Sequence, residues 1–167
     1  MKELPVRKNI RLTGYDYSQN GAYFVTICVK GKHEILGEIV GDDAHIVPPF
    51  VVYSEYGNIV EKHIKNINGS HDDVNVDKYI IMPNHVHIIL VLQNNDGTMW
   101  ASSPTAAAAR IPGVIRTLKT LVTKQIGFSV WQRSYHDRII RSEDEYHRIW
   151  QYIDENPVKW TEDEYYG

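Results

Sequence analysis

Two histidines one residue apart, His85 and His87, stand inside the apolar run DKYIIMPNHVHIILVL. Isoleucine and valine flank them densely and MPN precedes them, a pattern that predicts a buried strand starting after a turn. Strand side chains alternate between faces, so both imidazoles point one way while Val86 and Ile88 point the other. Two neutral imidazoles side by side can clamp a metal ion. The same pair can equally be two core histidines, each satisfied by a hydrogen bond. Two imidazoles leave a divalent ion under-coordinated, so a clamp needs a third protein ligand and a reacting group from elsewhere in the chain.

The stretch RSEDEYHRIWQYIDENPVKW near the end of the chain offers both. Ser142 with Glu145 three residues later makes a capping box. Tyr146, Ile149, Trp150 and Ile153 form an apolar stripe, and Pro157 marks the end of the helix. At about 100° per residue, Tyr152 and Asn156 are neighbours on one face, beside the stripe and not on it. Tyr152 therefore carries a phenol at the boundary between core and solvent, whereas Tyr146 is the core tyrosine. Tyr135, on an expected strand, is a weaker candidate.

A third pattern concerns charge. The net charge is −3, which does not advertise nucleic-acid binding. Between Arg110 and Arg141, however, Arg110, Arg116, Lys119, Lys124, Arg133, Arg138 and Arg141 face a single acid, Asp137, while the acids gather in GDDAH, SHDDVNVD, RSEDE and TEDE. In PGVIRTLKTLVTKQIG, Ile115, Leu118, Leu121 and Val122 share one helix face and Arg116, Lys119, Thr120, Thr123 and Lys124 the other. An acid-free face of this kind is either a solvated surface or a phosphate contact.

The elements that must position these groups follow from periodicity. GAYFVTICVKG reads as a strand, HEILGEIV and AHIVPPFVVY as short strands, and SEYGNIVEKHIKNI as a helix buried along Ile59, Val60, Ile64 and Ile67. VNVDKYIIM and HVHIILVLQ read as two strands, or as one bent at Pro83. Residues 95–112 read as a flexible loop. A helix from Pro112 to the stop at Gly127, a strand over FSVWQRSYHDRII and the final helix complete the order. That order predicts an α+β sandwich with a mainly antiparallel sheet. The 167 residues, 43% hydrophobic and 23% charged, suit a single globular domain. No apolar run approaches membrane-spanning length and MKELPVRKNIRLTG has no apolar core, so cytoplasmic residence is expected. Cys28 is the only cysteine, which excludes a disulfide framework and a cysteine-based zinc site.

Taken together, these segments resemble a known family. MPNHVHIIL is similar to the histidine–hydrophobic–histidine (HUH) motif of single-tyrosine transposases. YIDENPVKW resembles the tyrosine-bearing helix of the REP-associated tyrosine transposases, in which an Asn-Pro follows the nucleophile. GYDYSQNGAYFVTICV and VWQRSYHDRIIR resemble that family's first strand and pre-catalytic strand. The resemblance spans residues 10–160. It implies a ferredoxin-like fold with an antiparallel sheet and helices on one face. It implies His85 and His87 as metal ligands, Tyr152 as nucleophile and Asn156 as third ligand, in a place where related enzymes often carry glutamine. It further implies a divalent metal, magnesium or manganese, and single-stranded DNA as partner, at a hairpin or palindromic repeat. DNA would be cleaved and rejoined through a 5′-phosphotyrosine intermediate. Arg110, Arg116, Lys119, Lys124 and Arg133 would hold backbone phosphates, and Trp131, Tyr135 or Trp160 would stack unpaired bases. Relatives include both monomers and homodimers. Two other readings remain open: a non-catalytic nucleic-acid-binding module on the same fold, and a metal-dependent hydrolase using Asp77 as its acid.

Overall fold

The computed structural model describes residues 21–41, 47–92 and 104–166. Strands β1 (Ala22–Cys28), β2 (Gly37–Val40) and β3 (Phe50–Tyr53) precede helix α1 (Glu55–Ser70). Strands β4 (Val74–Ile81) and β5 (His85–Leu92), helix α2 (Pro104–Ile126), strand β6 (His136–Ile139) and helix α3 (Glu143–Glu155) follow. The main sheet has the order β4-β5-β1-β6, and every neighbouring pair is antiparallel. β1, α1 and β4 thus form a split β-α-β unit with β5 inserted between its strands, the expected ferredoxin-like α+β arrangement. β2 and β3 pair apart from it as a two-stranded ribbon.

Alternation along β1 and β5 divides the molecule into two layers. Val25, Ile27, Val86, Ile88 and Leu90 face α1 and α2, which bury Val60, Ile64, Ile115, Leu118 and Val122 against them. Ile89, with Phe24 and Ala22, faces the other way and meets Ile149 and Ile153 of α3. Helices therefore cover both faces of the sheet and not one. The apolar stripe of α3 was legible, but a stripe does not say which face it will cover. Burying Ile149 and Ile153 to 3% and 1% exposure contributes at most about 1.5–3 kcal/mol each to docking that helix.

The two-strand alternative holds for β4 and β5, while two element boundaries and one helix face differ from the periodicity reading. β4 and β5 are two strands of a hairpin closed at Met82–Asn84, where the Met82 amide donates to the His85 carbonyl. α2 begins at Pro104 and carries Pro112 in its interior, so 104–112 is helical; the remainder of the expected loop lies outside the described residues. Pro112 costs one helical hydrogen bond without ending the helix. Leu121, expected on the buried face, is 43% exposed. The strand expected over 128–140 shrinks to His136–Ile139; Trp131 joins β1 only through an isolated bridge to Val29 and is buried in the core. Gly127 does stop α2, at φ 95°, a conformation that only glycine adopts freely.

Candidate functional site

His85 and His87 lie on the face that α3 covers, and both are essentially without solvent contact. Cross-strand pairing places Thr26 of β1 beside His87 and Cys28 beside His85. The His87 Nδ1 and the Thr26 hydroxyl are 2.8 Å apart. The His85 Nδ1 donates to the Asn84 carboxamide oxygen at 2.8 Å. Asn84 is itself pinned, its amide donating to the Tyr165 carbonyl at 2.8 Å and the Lys32 carbonyl at 3.4 Å. Both Nδ1 atoms are thereby engaged, and the Nε2 atoms turn toward each other, 3.1 Å apart. Burial holds both rings neutral. It takes His85 down to about 4, against the opposing pull of Asp163, and His87 well below its ordinary value, helped by the neighbouring His85. Neutral rings with Nδ1 held by neighbouring oxygens are the form in which histidine ligates metals.

Helix α3 brings Tyr152 to this pair within the same chain. The Ser142 hydroxyl caps it by accepting from the Glu145 amide at 3.1 Å. Glu145 reaches back to the Arg141 amide, one residue before the position that a standard capping box uses. A β-bulge fastens the middle of the helix to β4. The register shifts between Val76 and Lys78, which lets Asp77 and Lys78 both meet α3, as a bulge re-aims side chains. Tyr146 and Trp150 donate to the Asp77 carboxylate. The Lys78 ammonium sits 3.5 Å from the centre of the Trp150 ring and 2.6 Å from Asp154. Asp77 is thus occupied on the outer side of α3, so it cannot be the acid of the histidine pair.

On the inner side, the Tyr152 hydroxyl lies 3.4 Å from the His87 Nε2, and its ring is T-shaped to both His87 and Phe24. Burial, then the Asp163 carboxylate, push its phenol up to about 12, so the tyrosine keeps its proton. Asn156 caps α3. It keeps helical angles (φ −57°, ψ −43°) although proline follows, against the usual preference. It is 2% exposed; its amide donates to Asp163 at 2.9 Å, and its carboxamide oxygen is buried with no hydrogen-bond partner.

Asp163 is the residue that sequence reasoning missed. Its carboxylate, with one nitrogen each of His85 and His87, forms a set of donor atoms within 4.8 Å of one another. Its only trace in the sequence is the acid cluster TEDE beyond the helix-ending Pro157. The chain turns back there through a 3-10 turn at Trp160–Glu162 and lays Tyr165 against His85, ring centres 4.5 Å apart. The site fits a divalent ion. Adjacent donors of one ion lie roughly 3.0–3.4 Å apart at bond lengths of about 2.0–2.1 Å, close to the observed nitrogen separation. The unpartnered Asn156 oxygen and the Asp163 carboxylate add oxygen donors, the type that magnesium and manganese favour.

A cavity of about 560 Å³ opens on this cluster, lined by Phe24, Thr26, His87, Arg138, Arg148 and Tyr152 among others. A second groove, of about 450 Å³, runs along the polar face of α2 past Thr120, Thr123, Lys124, Ser129, Gln132 and Arg133. The expected phosphate-binding residues divide here. Lys124, Arg133 and Arg116 are exposed. The Lys119 ammonium, in contrast, is spent on the Gln132 and Arg133 carbonyls, at 2.7 and 3.3 Å. Arg110 grips Asp73 with two hydrogen bonds, of 2.6 and 2.5 Å, and contacts His71. Neither of these two presents a free cation. Trp131 and Trp160 are buried to 6% and 7% exposure, so they cannot stack bases, and Tyr135 packs against the core. Gln132 also lines a smaller cavity of about 190 Å³ with Asn84 and Tyr165, and Tyr165 lines the main one as well. The small cavity therefore shares lining residues with both the basic groove and the histidine–tyrosine cavity.

No family model matches this chain. A protein of Haemophilus influenzae described only as uncharacterised is 33% identical over 176 aligned residues, covering 96% of this chain and 93% of that one. The structure of a REP-associated tyrosine transposase bound to a REP hairpin aligns with 90% of this chain and 73% of that one, at 18% identity and a TM-score of 0.60. A structure from Deinococcus radiodurans aligns at a TM-score of 0.43, too low to bear on the fold. No described helix is long and apolar enough to cross a membrane. On these likenesses the chain belongs to one family with the Haemophilus influenzae protein and carries the fold of the REP-associated tyrosine transposase.

Proposed function

We propose that this protein is a metal-dependent single-strand DNA transposase or endonuclease that cleaves and rejoins DNA through Tyr152. The observation that carries the reading is the placement of the Tyr152 hydroxyl 3.4 Å from the His87 Nε2, on a cavity that both residues line. His85, His87, Asn156 and Asp163 would hold a divalent ion, with magnesium or manganese the best match to the donor set. Such an ion supplies charge that polarises a non-bridging phosphate oxygen and offsets the charge of the transition state.

The chain's own residues do the rest. Thr26 and Asn84 orient the imidazoles. The bulge at Asp77 and the packing of Ile149 and Ile153 fix the helix, and hence the reach of the phenol. The Tyr152 oxygen attacks phosphorus, the bond to the 3′-oxygen breaks, and that oxygen leaves as a 3′-hydroxyl after taking up a proton. The phenol proton passes to solvent in the open cavity, because the His87 Nε2 beside it would be committed to the ion. A 5′-phosphotyrosine remains, so the phosphodiester energy is kept for rejoining to another 3′-hydroxyl. The structural relative was bound to a REP hairpin, and we assign a hairpin-flanked single strand as the substrate here. The strand would run from the groove of Lys124 and Arg133 to the cavity of Tyr152.

The test is a labelled hairpin oligonucleotide with single-stranded flanks, incubated with protein and manganese. The wild type should form an adduct that survives denaturing electrophoresis and carries the strand 3′ to the break. Tyr152→Phe should lose the adduct and keep DNA binding, while Tyr146→Phe should keep both. An adduct that persists in Tyr152→Phe would refute this choice of nucleophile. Cleavage with no adduct would instead favour the hydrolase reading, for which Asp163 supplies the acid. Binding with neither would favour the binding module.

A further inference from the structure

Two arginines that nothing above has given a task converge on the tyrosine cavity from different elements. Arg138 belongs to β6 and pairs across the strands with Phe24. It therefore stands on the same face as Phe24 and Thr26, with its guanidinium 6.0 Å from the Phe24 ring centre. Arg148 lies on α3 four residues before Tyr152, one turn away on the same helix face. Both line the cavity that holds Tyr152 and His87.

Their protein partners are weak or absent. Arg138 meets Glu145 at 3.5 Å, with its own side chain 52% exposed; a solvated pair of that kind contributes little. Glu145 is already committed to the backbone at the start of α3. Arg148 is exposed and makes no hydrogen bond or ion pair within the described residues. A planar guanidinium that is always charged is the side chain best suited to grip a phosphate diester in two-pronged fashion. The Phe24 ring beside Arg138 offers a surface for the adjoining base.

We infer that Arg138 and Arg148 form a phosphate subsite that holds the backbone phosphate next to the scissile one, clamping the single strand across the Tyr152 cavity. The inference rests on the DNA-processing reading but specifies which side chains hold the strand at the site of chemistry. Arg148 does so from the helix that carries the nucleophile, so strand and nucleophile move as one body. Glu145 holds Arg138 only through a solvated pair at 3.5 Å and already accepts from the Arg141 amide, so the guanidinium can turn to an incoming phosphate at little cost.

The probe is a 20-nucleotide oligothymidylate carrying one 5-iodouracil, with a chelator present so that binding is read without cleavage. Affinity is measured against salt for the wild type, for Arg138→Ala, Arg148→Ala and the double variant, and for Lys65→Ala on the far helix α1. Each arginine variant should weaken binding about tenfold at low salt and reduce the salt slope by about 0.7 per lost contact. Arg148→Lys should recover the slope and only part of the affinity, because a lysine keeps the charge without the fork. Photocrosslinks to Phe24 or Tyr152 should fade in the double variant, and Lys65→Ala should match the wild type. A double variant with unchanged slope and unchanged crosslinks overturns the subsite. In a parallel incubation of the labelled hairpin with manganese, a Tyr152 adduct formed alongside an unchanged slope removes the subsite and leaves the nuclease reading. Slope loss without any adduct does the reverse.

Discussion

Thr26→Val tests whether the histidine pair is held for metal binding. Thr26 is 3% exposed and its hydroxyl is the partner of the His87 Nδ1 at 2.8 Å. Valine has nearly the same shape and suits a central strand, so packing is conserved and one hydrogen bond is lost. The ring nitrogen left behind is buried, and burial already excludes the charged form of His87. Leaving that polar atom unpaired costs about 1–3 kcal/mol. For a chain of this size, that lowers Tm by about 2–12 °C, at roughly 2–4 °C per kcal/mol. The larger effect falls on the metal. Without an oxygen at Nδ1 the ring no longer favours the tautomer that presents Nε2 as a ligand, and such losses typically cost about 10–100-fold in affinity. Calorimetric titration with manganese reads this directly, with Thr26→Ser as comparison. Serine keeps the oxygen and loses a methyl, about 1 kcal/mol of stability, so it should bind manganese close to the wild-type affinity. A Thr26→Val protein that binds manganese as tightly as Thr26→Ser would refute the idea that this hydroxyl orients His87 for a metal.

Three further outcomes are expected. In chelator, stability should fall between about pH 6.5 and pH 4, because the His85 pKa is depressed in the folded state to about 4. The unfolded chain takes up the proton first over that window, so this contribution to stability is present in full above it and lost as pH falls through it. The His85 share of that loss is about 3 kcal/mol, read by urea unfolding at pH 7 and pH 4.5; His85→Asn should make the profile shallower and leave the slope that His87 contributes. Lys124→Ala with Arg133→Ala should reduce the salt slope of single-stranded DNA binding by about 0.7 per contact. Lys119→Met, whose ammonium is bound to backbone carbonyls, should change stability and leave that slope alone; a slope that followed Lys119 instead would relocate the DNA surface.

The amino-acid sequence by itself determined whatever depends on neighbours along the chain. Alternation put His85 and His87 on one side of β5 and Val86 and Ile88 on the other. The 3.6-residue period placed Tyr152 and Asn156 beside the stripe of Ile149 and Ile153, and Ser142, Glu145 and Gly127 announced helix ends. These are short-range rules, set by backbone geometry and capping chemistry. Only the tertiary structure decided which face of the sheet α3 covers, because a stripe specifies that a helix buries itself and not against what. It also decided the partners of the long cations. Arg110 and Lys119 read as phosphate ligands until Asp73 and the Gln132 and Arg133 carbonyls came within reach of them. Asp163 comes within 4.8 Å of His85 and His87 only because β5, α3 and the turn after Pro157 fold onto one another. Nothing local to TEDE distinguishes that carboxylate from its neighbours, since the proximity that sets it apart is made by packing across the whole sheet.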